Sequence, residues 1–276
     1  MPPERRRRER RQAVLTVLAR EDLTPHLVRV VLGGPGFADL GENEHTDRYV
    51  KILFADPALG LEPPYDMEAL RERLDPAQLP VTRTYTLRSV DPQAQTVTID
   101  FVVHGDEGLA GPWARAARPG DRIAVMGPGG GYAPDPDADR HFFAGDDTAL
   151  PAIAAALEAL PEEATGTAYL EVEGPADEIP LTGPGGVEIR WLHRAGATPG
   201  PDAPLARAVR AHDFGDGRVQ VFAHGEREAI KALRAVFADR GIPRADLSLS
   251  GYWAYGRTEQ VFQAEKREPI GQIFPD

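Results

Sequence analysis

Two hydrophobic periods divide the chain. From about residue 12 to 127, apolar residues recur at every second position in short runs bounded by Gly, Pro or Asp, over 27–32, 49–54, 81–87 and 97–103. Period two is the pattern of a strand with one face in a core. In 97–103 it sets Val97, Ile99, Phe101 and Val103 on one face against Thr98, Asp100 and Val102 on a mostly outward one. The runs 13–19 and 122–126 bring the number to about six strands. Helical spacing interrupts them at 66–74 (Met67, Leu70, Leu74), where Asp75-Pro76 stops it. Six turn-punctuated strands with one short helix predict an antiparallel six-stranded β-barrel, closed or nearly so, over 12–130.

Residues 128–139 carry many Gly and Pro and no period, which makes them the predicted boundary between two domains. Beyond it strands and helices alternate. Strand-like runs lie at 141–144, 167–172, 187–193, 218–224 and 247–251. Helical stripes lie at 148–160 (Leu150, Ile153, Leu157, Leu160) and 226–240 (Ile230, Leu233, Phe237), the second stopping at Gly241 with Pro243 beyond. This alternation predicts a C-terminal α/β domain over 139–276, a parallel sheet covered on both faces, whose strands bind ligands at their carboxyl ends. By that analogy it is a candidate nucleotide-binding domain.

The 276 residues are enough for two cores, and 42% of them are apolar. No apolar run is long enough to span a membrane, and the Arg-rich start lacks the apolar segment of a signal peptide, so a cytoplasmic location without stable membrane insertion is expected. Zero cysteines exclude disulfides, iron–sulfur clusters, thiolate metal sites and a Cys nucleophile, so redox chemistry needs a borrowed cofactor. The seven histidines are never closer than 12 positions apart, which leaves no local metal-ligand pair. The net charge is −12. Residues 1–11 hold six Arg against Glu4 and Glu9, a solvated flexible tail on the simplest reading, and the rest is acidic enough to repel nucleic acid. His193, His212 and His224 read as surface or strand-end residues. No Gly-x-Ser-x-Gly elbow supports a hydrolase, and Pro128-Gly-Gly-Gly131 lacks the Lys-Ser/Thr of a phosphate loop.

The strongest local feature is Arg83-Thr84-Tyr85-Thr86-Leu87-Arg88, in a predicted barrel strand. It offers guanidinium forks, a planar aromatic and small hydroxyls together, the set that a flavin dinucleotide needs for its pyrophosphate and ring. An ordinary exposed strand would carry the same residue types. Downstream, Asp100-Phe-Val-Val-His104-Gly105 leads through a Gly-rich turn to Trp113-Ala114. Then come Ala144-Gly-Asp-Asp-Thr-Ala-Leu-Pro-Ala-Ile153 and Ser250-Gly-Tyr-Trp253-x-x-Gly256-Arg-Thr-Glu259.

These four blocks, in this order over 83–259, resemble the siderophore-interacting proteins, FAD-dependent ferric-siderophore reductases of the ferredoxin-reductase-like superfamily. The resemblance implies FAD in the barrel domain, NADH or NADPH as donor in the second, and a ferric siderophore as substrate. It places Arg83 and Arg88 on FAD phosphates, Thr84 and Tyr85 against the flavin, and Thr86 as the catalytic hydroxyl near its reactive edge. Val102, His104, Gly105, Ala110, Gly111 and Trp113 fall where the family wraps the rest of FAD. Gly145, Asp147, Thr148, Ala149 and Pro151 fall where nicotinamide nucleotide and flavin approach, and Tyr252, Trp253 and Arg257 near the same cleft. Lys51 would face the ferric complex, and no protein-held metal is expected. Leu109 and Gly111, and Ala254 and Tyr255, depart from the family's usual residues, the last two replacing a basic pair. A monomer is expected, with ferredoxin as an alternative donor. The siderophore class is not readable. Glu171, at the second strand of the α/β half, would disfavour NADPH by repelling its 2′-phosphate, whereas nearby arginines argue the other way. Rival readings are a general NAD(P)H-dependent flavin or dye reductase and a non-enzymatic ferric-siderophore binder.

Overall fold

The computed structural model describes residues 11–105 and 108–274; the Arg-rich stretch 1–10 and Asp106-Glu107 of the Gly-rich turn lie outside them. The N-terminal half forms a seven-stranded antiparallel sheet from β1 (Ala13–Thr24), β2 (Leu27–Gly33), β3 (Tyr49–Phe54), β4 (Val81–Thr86), β5 (Ser89–Asp91), β6 (Thr96–Val102) and β7 (Arg122–Gly129). The order is β4-β3-β7-β1-β2-β6-β5. The sheet rolls until the Tyr85 ring of β4 lies 4.5 Å from Phe101 of β6, yet among the described residues no ladder joins these strands. It is therefore barrel-like rather than closed. The seventh strand, β5, is too short to show an alternation in sequence.

Alternation placed the barrel core correctly: Val97 is 1% exposed and Ile99, Phe101 and Val103 are fully buried, packed with Leu15, Val30 and Ile52. The opposite face of β6 is not open to water. Asp100 is buried there, with both carboxylate oxygens 2.7 Å from the guanidinium of Arg29. Two helices belong to this half, α1 (Met67–Arg73) and α2 (Ala110–Ala116). Asp66 starts α1 by accepting the N–H groups of Glu68 and Ala69.

The second sheet is wholly parallel: β8 (Arg140–Asp146), β9 (Thr165–Val172), β10 (Gly186–His193), β11 (Val219–Glu226) and β12 (Leu247–Trp253), in the order β10-β9-β8-β11-β12. Neighbouring residues of β8 feed opposite layers. Phe143 packs with Leu150, Ile153 and Leu157 of α3 (Leu150–Glu158). Phe142 packs with Leu205 and Val209 of α4 (Pro204–Ala211) and with Ile230, Leu233 and Phe237 of α5 (Arg227–Asp239). Glu226 caps α5 by accepting the Ala229 N–H at 2.8 Å, and Gly241 beyond it takes φ +73°, so both ends of this helix follow the sequence signals. A last helix, α6 (Glu259–Glu265), begins at Thr258. Neither α4 nor α6 was expected: both are short and begin close behind Pro- or Gly-containing turns.

The two halves share α3. Leu27 of β2 and Val102 of β6 pack in the same apolar layer as Leu150 and Ile153, and Arg88 makes a bidentate pair with Glu158 at the end of α3. The segment read as a structureless link is partly built in. β7 runs through Pro128 to Gly129, which pairs with Tyr49, and the Tyr49 ring fills the place of a Gly129 Cβ. One oxygen of buried Asp47 then accepts the N–H groups of Gly131 (2.8 Å) and Tyr132 (2.9 Å). Among the described residues no helix is long and apolar enough to cross a membrane.

Asp47→Ala would strand those two donors, one of them on buried Tyr132. We expect it to lower unfolding stability by about 1–3 kcal/mol, measured by urea denaturation, because a buried donor left unpaired costs its full desolvation.

Candidate functional site

A cleft of about 370 Å³ opens between the halves. Its barrel wall is Tyr49 and Lys51 of β3, Arg83, Thr84, Tyr85 and Thr86 of β4, and Asp100 and Val102 of β6. Facing them are Thr148 and Pro151 at the start of α3, Ser250 and Tyr252 of β12, and Glu259, Gln263 and Lys266 on and just after α6. The cleft thus lies over the carboxyl ends of β8 and β12, where a parallel sheet leaves helix starts and loops free for ligands.

Among the described residues, the Arg83 side chain has one hydrogen-bond partner, the carbonyl of its neighbour Thr82 at 2.9 Å, and no carboxylate within salt-bridge reach. Tyr85 lies against Phe101, and burial raises its phenol pKa. Burial also raises Tyr252, while the nearby Thr86 hydroxyl pulls the other way. Lys266 is held below its ordinary pKa, first by desolvation and further by the like charge of Lys51, with Glu259 opposing. Two ammonium groups and one guanidinium therefore face this space.

Behind the cleft stands Asp146, 4% exposed. It accepts hydrogen bonds from the Thr148 N–H (3.0 Å) and hydroxyl, the Glu226 N–H (2.8 Å) and the Trp253 indole N–H (2.8 Å). Burial, with Asp147 beside it, lifts its pKa above the usual carboxylate range against the pull of those donors. Gly225 at φ +148° leaves it room, since a Cβ there would meet the carboxylate at 2.7 Å. Gly145 has a similar duty: its Cβ would lie 2.7 Å from that of Ala149, so only glycine lets α3 start this close to β8.

Of the residues expected at the site, Lys51, Arg83, Thr84, Tyr85, Thr86, Val102, Thr148, Pro151 and Tyr252 line the cleft. The others stand elsewhere. Arg88 is engaged by Glu158, Arg257 by Glu265 (2.8 Å), Asp147 by Arg194 (2.6 Å) and Trp253 by Asp146. Trp113 packs on Phe54 and Phe101, Ala149 is core, and Ala110 and Gly111 open α2. His104 and Gly105 are exposed, and Gly105 (φ +56°) has open space where a Cβ would project.

Three expectations about single side chains fail. His224 is not a strand-end residue in water: it is 4% exposed, stacked on Phe222 with ring centroids 3.8 Å apart, with Nε2 3.1 Å from the Ser248 hydroxyl. His212 is half-buried among Phe142 and Phe214 rather than at the surface, whereas His193 is exposed at the end of β10 as expected, 2.8 Å from Glu178. Glu171 cannot meet a ribose. It is buried within β9, where it accepts the Leu205 N–H at 2.7 Å and faces Arg194.

Tyr49, Asp100, Ser250, Glu259, Gln263 and Lys266 line the cleft without having been singled out for a site role, and Asp146 supports it. For Ser250 and Glu259 the signal was present in the quoted terminal block. Lys266 could have been found as one of only three lysines.

Residues 16–132 match the family described as siderophore-interacting FAD-binding domain, and residues 138–256 match the one described as siderophore-interacting protein. An uncharacterized protein of Mycobacterium tuberculosis is 46% identical over 265 residues, covering 91% of this chain and 93% of that one. The ferric vibriobactin reductase ViuB of Vibrio cholerae is 31% identical over 269 residues, covering 95% and 96%. Among solved structures, a siderophore utilization protein from T. fusca superposes with a TM-score of 0.78 at 39% identity, over 90% of this chain and 94% of that one.

Desolvation lowers the pKa of His224 to about 3. A base whose folded pKa is depressed loses stability as pH falls through its unfolded value of about 6.5, because the unfolded chain then binds the extra proton. By pH 5 this linkage costs about 2 kcal/mol. We expect His224→Phe to lose less thermal stability than the parent between pH 7 and pH 5; parallel slopes would refute the buried neutral imidazole.

Proposed function

Since this chain belongs to the siderophore-interacting protein family and carries its FAD-binding domain, we propose that it reduces a siderophore-bound Fe(III) in the cleft and so releases Fe(II). The observation that carries this reading is the charge of the cleft: Arg83, without a carboxylate partner among the described residues, and Lys51 and Lys266 on facing walls, in a protein whose net charge is −12.

The residues present fit FAD. The Arg83 guanidinium has its fork free for a phosphate, Tyr85 presents a partly buried aromatic at the cleft, and Gly105 and Gly108 take positive φ with open space around them, so backbone can approach a ligand closely. When bound, FAD supplies the conversion of a two-electron hydride donor into two one-electron transfers. The chain's own residues position and shield. Thr86 and Tyr252 set hydroxyls on the two facing walls of the cleft. Pro151 and Val102 exclude water, and Lys51 and Lys266 hold the anionic ferric complex by its charge.

With a nicotinamide donor, one NAD(P)H and two Fe(III) give NAD(P)+, H+ and two Fe(II). Ferrous iron binds hard oxygen chelators poorly and leaves. Iron is thus substrate. Among the described residues no group of three or more His, Asp or Glu is placed to hold a metal.

The protein is expected to purify yellow. Arg83→Ala is expected to lower FAD affinity roughly tenfold or more, as loss of a charge-assisted hydrogen bond would, read by flavin fluorescence on titration. The double variant Lys51→Gln/Lys266→Gln should keep its flavin and raise KM for a ferric siderophore, assayed anaerobically with a ferrous trap. Rapid reduction of dyes with no trapped Fe(II) from catecholate, hydroxamate or mixed complexes would instead identify a general reductase.

A further inference from the structure

The carboxyl edge of the parallel sheet carries a charge pattern that the cleft chemistry does not use. The order β10-β9-β8-β11-β12 is that of a doubly wound sheet, in which a dinucleotide crosses the strand ends. In such sheets an acid at the end of the second strand accepts the ribose 2′-hydroxyl, whereas binding of a 2′-phosphate needs an accessible arginine nearby. Here the second strand is β9, and Glu173 follows it directly, its side chain 40% exposed. One Glu173 oxygen accepts the Gly196 N–H at 2.7 Å, which fixes the carboxylate.

The arginine at the neighbouring strand end is already committed. Arg194, just after β10, is 8% exposed and bonds Asp147 at 2.6 Å, with Glu173 at 3.5 Å and Glu171 at 3.6 Å. Its Nη1 is sealed from solvent without a hydrogen-bond partner, and is therefore closed to a phosphate. His193, the other basic group there, is held by Glu178. Three carboxylates thus surround one buried guanidinium, and the local excess is negative.

Resting on the reductase reading above, we infer that the electron donor is a nicotinamide dinucleotide with a free ribose 2′-hydroxyl, NADH, and that Glu173 is the residue that excludes NADPH. A 2′-phosphate carries nearly two negative charges and would meet the Glu173 carboxylate, while Arg194 beside it is already taken up by acids. Glu171, which the sequence suggested for this part, is buried and taken by the start of α4. Its structural neighbour Glu173 is the one exposed.

The test is equilibrium binding, so that it does not depend on turnover. The flavin-loaded protein is titrated with ADP-ribose and with 2′-phospho-ADP-ribose by calorimetry. ADP-ribose should bind at least about tenfold more tightly, the size of one close like-charge contact near a surface. Glu173→Gln keeps an amide oxygen for Gly196 and removes the charge. It should narrow that ratio severalfold, and the kcat/KM ratio of NADH to NADPH should narrow with it. Equal or tighter binding of the 2′-phosphate compound, or an unchanged ratio in the variant, overturns the inference. Binding of neither compound also overturns it, and if dithionite-reduced protein still yields Fe(II) the siderophore reading survives. Selective ADP-ribose binding with no Fe(II) from any ferric siderophore supports the assignment of Glu173 and counts against that reading alone.

Discussion

The arrangement of this protein depends on one buried carboxylate. Removing an aspartate from water costs several kcal/mol unless donors replace its hydration. Asp146 recovers them from three places at once: the β8–α3 turn through Thr148, the β11–α5 turn through the Glu226 N–H, and the end of β12 through the Trp253 indole. These are the carboxyl ends of three adjacent strands, so one side chain ties together the rim on which a ligand would rest. The cost appears in the sequence as Gly225, whose missing Cβ makes space for the carboxylate. Trp253 is thereby explained without a ligand: its ring is fixed by Asp146, and it positions the strand end whose neighbour Tyr252 faces the cleft.

The second constraint is the sharing of α3 between the two halves. Its apolar side covers the parallel sheet and also meets Leu27 and Val102 of the barrel, while Glu158 at its end holds Arg88. A cleft bounded by one common helix has walls that cannot shift independently without breaking that layer. Asp100 faces outward from the barrel yet is buried, and its cross-strand neighbour Arg29 neutralises it.

What could be read in the sequence was what local patterning specifies. The Val97–Val103 alternation, the helical spacing over 66–74 and the Glu226-to-Gly241 limits of α5 depend on a few neighbouring residues, and each is found as expected. The Arg83-x-Tyr85-Thr86 strand was legible for the same reason, because a strand carries its neighbours to one site. Choices made by distant partners were not. Arg88 and Arg257 look like free cations in sequence, but Glu158, 70 positions on, and Glu265 claim them. His224 and Glu171 look like strand-end polar groups, but the sheet continues past them and buries them. Lys266 stood out only as one of three lysines, because it follows α6, a helix of seven residues whose place over the cleft is a tertiary fact.

The net charge of the whole chain is a poor guide to what it attracts, because carboxylates and cations are sorted. Acids concentrate at the β9–β10 edge, around the buried Arg194, while Arg83, Lys51 and Lys266 face the cleft against Glu259 and the Arg29-paired Asp100. Within a Debye length of about 8 Å the local groups dominate over the distant excess of acid. Desolvation depresses Lys266, Glu259 offsets part of this, and Lys51 adds a smaller depression. An anion placed there adds counter-charge to both ammonium groups at once, so part of its binding energy is compensation for the hydration that Lys266 has lost. A neutral molecule of the same shape gains nothing from this term. The cleft thus discriminates by charge before any shape is considered.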